Sequence, residues 1–431
     1  MKKQTIINAT AILTLSSAMA FSLLTSCEGP QGIAGVDGVD ANESCKQCHN
    51  QTWVDAKAVE FQLSKHEYGE AAFEEAGNAS CAPCHESKGF RYVCANNIPS
   101  TFTKNETTGK YVNGYTSIAT DAYGDLRCVT CHSSLHTKFD STDIFPLTNV
   151  AAVSMTMWGG AKEINISQDG GISNLCVKCH QPRPISTSAD GNVLDYAALA
   201  ANPTDVFFTP GASTNKLNVG YRTGVHYGTV GAIFAGQGGV QFSGSLSYSN
   251  SPHTSVATCQ DCHMATMTGA SGGHSFFAKG NFNGCNTASC HGSAPLDAKS
   301  TKFATTRTDV KTLLTGLAAK LVTADGISFL HVEKDAEANL WATATSQGYD
   351  GYLDIFDPST NPDGKLQNPA PSSSWSQANK DINTALPTFT LTNAQMGAII
   401  NFQLCLREYS LGIHNTSYTK ALLTNTSEAL N

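Results

Sequence analysis

Charge is scarce in this chain. Only 14% of its 431 residues are Asp, Glu, Lys or Arg, and the balance is negative, at −8. A chain without a basic excess has nothing to offer a polyanion, which excludes nucleic acid as a partner. Beyond residue 26 no uncharged apolar run is long enough to span a bilayer. No histidine precedes Cys45, and residues 293–431 hold a single cysteine, Cys405. What is plentiful is therefore concentrated: 15 cysteines and 13 histidines in all, most of them between 45 and 292. Such cysteine usage means staples in a short secreted chain, metal binding, or covalent attachment of a cofactor. A chain of this length can bury a core without staples, which argues against the first.

The opening "MKKQTIINATAILTLSSAMAFSLLTS" carries two lysines and then no charge, with an apolar centre: residues 1–26 read as an export signal. Thr, Ser, Asn and Gln dilute it too much for a membrane span. Its end, Leu24-Thr25-Ser26-Cys27, resembles a bacterial lipobox. The resemblance implies that Cys27 becomes the lipid-modified first residue, held at a membrane by several acyl chains. Glu28 follows instead of the aspartate that retains such lipoproteins at the inner membrane, which points to the outer one. Residues 27–44, with glycine at 29, 32, 35 and 38, have collagen-like spacing but few triplets, and read as a flexible tether. Cys27→Ser is expected to release the protein from the membrane fraction or to block its processing. Unchanged partitioning and maturation would remove the lipid from this account.

From 45 to 292 one device recurs: "CKQCH" (Cys45, Cys48, His49), "CAPCH" (Cys81, Cys84, His85), "CVTCH" (Cys128, Cys131, His132), "CVKCH" (Cys176, Cys179, His180) and "CQDCH" (Cys259, Cys262, His263). Cys-x-x-Cys-His is the attachment signature of c-type haem. Two thiols add to the two porphyrin vinyl groups, and the adjacent histidine ligates iron on the same side. A zinc ribbon also pairs cysteines at this spacing but needs no histidine directly after each pair. Histidine fills 13 of 431 positions, so five such placements are not chance. "CNTASCH" (Cys285, Cys290, His291) keeps the terminal Cys-His and lengthens the loop between thiols. A longer loop can bulge outward while both sulfurs still reach the vinyls; a disulfide across it would leave His291 unexplained. Six haem c groups are expected.

Seven histidines remain for the far faces of six irons: His66, His136, His226, His253, His274, His331 and His414. His136 follows its own motif by four residues and is expected on a neighbouring haem. His331, in the cysteine-poor region, is the weakest candidate. Cys94 and Cys405 belong to no motif, and either a disulfide between them or two buried thiols is open to them.

The stretches "SKHEYGEAAFEEAGNASCAPCHESKGF", "GVHYGTVGAIFAGQGG", "NSPHTSVATCQDCHMATMTGASGGHSF" and "SLGIHNTSYTKALL" resemble the multihaem c-type cytochromes of metal-respiring bacteria, over most of 45–292 and again over 395–430. The resemblance implies that His66, His226, His253, His274 and His414 are distal haem ligands. It also implies other cytochromes or extracellular electron acceptors as partners. Some hexahaem members polymerise into conductive filaments, with one histidine ligating a haem of the next subunit. This chain departs from them in its lipobox, its tether and the lack of a histidine ahead of Cys45.

The expected fold is mostly irregular loop with α-helices wrapped around closely packed haems and few strands. A hexahaem domain would cover 45–292, and a C-terminal helical region, 293–431, would pack on it. Helices are expected over 53–77, 305–322, 392–408 and 416–430, the third opened by a Thr392–Gln395 capping box and showing Ile399, Phe402 and Leu406 on one apolar face. Residues 345–388 read as a long loop. With about 41 residues per haem, the haems themselves are expected to serve as the core. Two imidazoles per iron leave no open position for substrate, so electron transfer is expected. A reductase of nitrite, hydroxylamine or a sulfur oxyanion is the competing class. It needs a displaceable site, and the Cys-x-x-Cys-Lys motif that marks one such family does not occur.

Overall fold

Short helices start at or just inside the cysteine motifs at 81, 128 and 259, whereas the motif at 176 closes a helix and that at 285 lies in turns. The computed structural model describes residues 50–68, 75–100, 102–104, 107, 111–118, 125–132, 147–155, 162–182, 194–208, 219–333, 348–368 and 371–431. Cys27, Cys45, Cys48, His49 and His136 lie outside these residues. In chain order the first helices are α1 (Gln51–Phe61), α2 (Lys65–Tyr68), α3 (Ala82–His85), α4 (Ser87–Ala95) and α5 (Cys128–Cys131). Next come α6 (Ile172–Val177), α7 (Tyr196–Ala201), α8 (Val230–Phe234), α9 (His253–Val256) and α10 (Cys259–His263). The last four are α11 (Thr301–Lys320), α12 (Gln377–Ala385), α13 (Asn393–Leu406) and α14 (Thr416–Ala429).

Among the described residues strands are few and paired only in twos, all antiparallel. β1 (Phe102–Lys104) pairs with β2 (Tyr111–Asn113), and β3 (Val153–Ser154) with β4 (Glu163–Ile164). Among the rest, β5 (Val206–Phe208) meets β8 (Leu391–Thr392), and β6 (Leu330–Glu333) meets β7 (Gly348–Leu353). The architecture is mostly helical and irregular, with no closed sheet among the described residues. No helix among them is long and apolar enough to cross a membrane.

The helix expected over 53–77 is broken. α1 ends at Phe61, and the Ser64 hydroxyl accepts from the His66 amide at 3.0 Å to start α2. This local side-chain bond offers the backbone an alternative to continuing the helix. The stretch 345–388 is not all loop either, since it supplies β7 and α12, the latter capped by Ser376 accepting from the Asn379 amide. The C-terminal helices fall close to where periodicity places them, and the Thr392–Gln395 capping box forms in both directions. α13, however, has no single apolar face: twelve of its fourteen residues are buried. A helix surrounded on every side is a central strut.

That strut corrects the expectation that haems alone would make the core. α13 lies against α7, α11 and α14. One continuous apolar cluster joins Ile164, Val225 and Phe242 of the motif-bearing segment to Leu314, Ile399, Phe402 and Leu422 of the C-terminal region. Each fully buried side chain of this kind contributes about 1.5–3 kcal/mol. Cys94 and Cys405 are separate free thiols, Cys94 beside Phe90 and Leu175, Cys405 within the main cluster. Burial pushes the Cys94 thiol up to about 11.

Candidate functional site

A helical turn places the histidine amide over the carbonyl of the first cysteine, four residues back. That bond closes the motifs at His85 (3.1 Å to Cys81), His132 (2.9 Å to Cys128) and His180 (2.9 Å to Cys176). The stretched motif makes the same closure: the His291 amide donates to the Cys285 carbonyl at 2.9 Å, and the extra residues turn outward, with the Cys290 and Gly292 amides on the Thr287 carbonyl. The longer loop therefore presents its first cysteine and its histidine as the shorter ones do.

Motifs also meet one another through sulfur. The Cys176 thiol lies near that of Cys259, Cys84 near Cys179, and Cys262 near Cys285, and Cys84 Sγ and Cys179 Sγ donate to the Lys178 and Pro83 carbonyls at 3.8 and 3.7 Å. These contacts set the motifs 81–85, 176–180, 259–263 and 285–291 in a row. Bonding from Cys176 holds the Cys259 thiol down at about 7, and bonding from Cys262 does the same for Cys285. Cys131 lies within electrostatic reach of both Cys176 and Cys179.

Each of the five described motif histidines faces one histidine from outside the motifs. Ring centroids are 6.1 Å apart for His85 and His226, 6.3 Å for His132 and His274, and 6.0 Å for His180 and His66. They are 6.1 Å apart for His263 and His414, and 6.2 Å for His291 and His253. Imidazole nitrogen binds a metal at about 2 Å, with the ring centre about 1.1 Å beyond it, so two imidazoles on opposite sides of one metal have centroids ~6 Å apart. Five pairs at that one spacing could each hold a six-coordinate iron whose other four donors come from a porphyrin. Among the described residues no three His, Cys, Asp or Glu side chains converge as they would for a bare ion.

The ring nitrogens are prepared for this use. His263 Nδ1 lies 2.8 Å from the Phe276 carbonyl, His253 Nδ1 lies 3.0 Å from that of Ile413, and His414 Nδ1 lies 2.6 Å from Glu408 Oε2. Engaging Nδ1 as a donor fixes the tautomer and leaves the Nε2 lone pair able to bind a metal. Burial pushes His66 and His263 below the ordinary imidazole pKa, which keeps them neutral and available to a metal. Phe276 serves three of these histidines: its carbonyl holds His263, and its ring stands 4.9 Å from His66 and 5.8 Å from His274. Burial alone would push the Glu408 carboxyl up, but bonds from His414, Ser410 and the Gly412 amide hold it below its usual range. His274 meets a second carboxylate: its backbone amide donates to Glu60 Oε2 at 3.0 Å, and Nδ1 is 3.4 Å from the same oxygen.

His331 belongs to none of the five pairs. Its Nδ1 sits 2.7 Å from Asp350 Oδ2, across the β6–β7 ladder, and its ring meets the edge of Tyr221.

Residues the sequence did not single out hold this arrangement in place. The segments around His226 and His253 are irregular, so their backbone groups need partners from elsewhere. Buried amides on the C-terminal helices supply them. Asn401 bonds both backbone groups of Val240, Asn425 bonds both of Leu246, and Asn415 takes the Ser251 amide while donating to the Ile233 carbonyl. Gln403 accepts from the Val225 amide and donates to the Thr223 and Gly351 carbonyls. Gly224, at φ +135°, leaves room for that amide, since a Cβ there would fall on it. Asn and Gln inside a helical pattern give no hint of such work. Arg407, which caps the end of α13, is buried, donates to the Val225 carbonyl, and keeps Nε without a hydrogen-bond partner. The guanidinium beside His226 is thus buried and incompletely satisfied.

No protein-family model, curated protein or solved structure matches this chain.

Proposed function

We propose that this chain is a multihaem c-type electron carrier, exported and tethered to the outer membrane through Cys27, with each haem iron held between two histidines. The reading is carried by one observation: five motif histidines each face a single other histidine at 6.0–6.3 Å between ring centroids. On this reading each pair belongs to one haem, attached through the two thiols of its motif. His49 and His136 are left for the sixth, since His331 meets Tyr221 and faces none of the described motif histidines. Haem c supplies a one-electron iron couple, and two imidazoles leave that iron without an open position. The chain's own part is to hold the imidazoles neutral, orient them through Nδ1, and bring the motifs side by side. Thiols of neighbouring motifs lie close to one another, which supports a reading in which successive haems stand edge to edge, where electron tunnelling is fast. The partners are other cytochromes or an extracellular acceptor.

Intact mass of the mature protein after acid-acetone extraction, which removes only noncovalent haem, is the test. Six retained haem masses are expected. Five, with Cys285 and Cys290 unmodified, would remove the stretched site; none would end the reading.

A further inference from the structure

We propose that two consecutive buried charges at the end of α13, Arg407 and Glu408, hold apart the potentials of two haem positions: Glu408 lowers the one ligated by His263 and His414, and Arg407 raises the one ligated by His85 and His226. The inference rests on the bis-histidine reading above and goes beyond it, because ligation alone makes all the positions alike.

The two side chains leave the helix towards different partners. Glu408 turns to the His414 ring, at 2.6 Å, and is also met by the Ser410 hydroxyl at 2.6 Å and the Gly412 amide at 2.9 Å. Three donors on a 2% exposed side chain define an acceptor-only carboxylate. A carboxylate that accepts from Nδ1–H makes the imidazole a stronger electron donor, and so stabilises ferric iron over ferrous. His253 and His263 have only neutral carbonyls at Nδ1. Glu60 beside His274 is a weaker case, because its ring contact is longer, at 3.4 Å, and Lys57 neutralises it at 2.6 Å.

Arg407 works in the opposite sense. Its guanidinium touches both neighbours of His226, donating to the Val225 carbonyl and lying 4.4 Å from the Tyr227 ring centroid. At 3% exposure its charge is little screened, and guanidinium cannot lose its proton. A fixed cation disfavours the more positive ferric state. Between these two positions lies the 176–180 motif, joined to one side by Cys176 with Cys259 and to the other by Cys179 with Cys84. Along that row of three, an electron is therefore favoured at the Arg407 end; its passage oxidises one iron and reduces another, with no proton or bond exchanged.

The experiment is a redox titration of the full-length holoprotein, followed optically and by electron paramagnetic resonance. Glu408→Gln should shift the reduction equilibrium of one haem at least tenfold towards ferrous, ~59 mV upward for one electron. Ser410→Ala, which leaves the carboxylate more fully to His414, should move the same haem downward. Arg407→Met should lower the potential of a different haem by a similar factor, while Arg407→Lys, keeping the charge, should restore most of it. Variants that retain the wild-type haem count and the wild-type potentials would overturn the inference and leave the bis-histidine reading standing. A wild-type protein without covalent haem would instead remove that reading. Should Glu408→Gln not fold, the Ser410→Ala and Arg407 variants decide alone, and a lack of shift in them overturns the inference.

Discussion

The fully oxidised protein is expected to give only low-spin ferric signals in electron paramagnetic resonance, and those signals should divide by the angle between ligand planes. Aligned imidazole planes raise one iron d orbital above its partner and produce ordinary rhombic spectra. Crossed planes keep the two orbitals nearly equal in energy and produce strongly anisotropic ones. The His263–His414 planes differ by 14° and the His132–His274 planes by 31°, whereas the remaining pairs are at 67°, 68° and 86°. Two rhombic and three strongly anisotropic components should therefore come from these five pairs, with the sixth haem added to one class. Reduced protein should bind carbon monoxide poorly, since a ligand must first displace an imidazole. His331→Ala should leave the spectrum as it is, because that ring meets Tyr221 and belongs to none of the pairs. A stoichiometric high-spin signal in the native protein would mean an open iron, and a reductase would then be the better reading.

Gln403→Ala is expected to cost about 3–5 kcal/mol and to loosen ligation by His226. The loss follows from three backbone groups, the Val225 amide and the Thr223 and Gly351 carbonyls, that depend on this one side chain. A buried group left unsatisfied costs roughly 1–3 kcal/mol, and partial entry of water keeps the total below the full sum. Denaturant unfolding measures the stability change. A high-spin fraction traced to the His85–His226 position would report the loosened ligand. Gln403→Met separates bonding from packing, since it fills a similar volume without the amide. A Met variant as stable as wild type would show that these bonds contribute little.

Much of the candidate site could be read directly from residue spacing. A Cys-x-x-Cys-His run is a local object, complete within one helical turn, so its positions needed no fold to be found. The stretched motif was legible for the same reason, although only the bond from His291 to Cys285 shows how its loop closes. Helix ends governed by short-range bonds were also visible, as the Thr392–Gln395 box illustrates. The break between α1 and α2 was missed because the Ser64 bond to the His66 amide competes with a continuous helical pattern.

By itself the sequence determined the residue types and the spacing within each motif, both consequences of covalent order. Which of the other histidines faces which motif was decided only by the tertiary structure. Most partners lie far apart along the chain, His263 and His414 furthest of all, and nothing local records their meeting. The same holds for the buried α13, whose Asn401 and Gln403 look like polar interruptions until the irregular backbone at 223–251 is packed against them. That backbone has few ladder bonds of its own, so its amides and carbonyls must be satisfied across the fold, and only folding shows by whom.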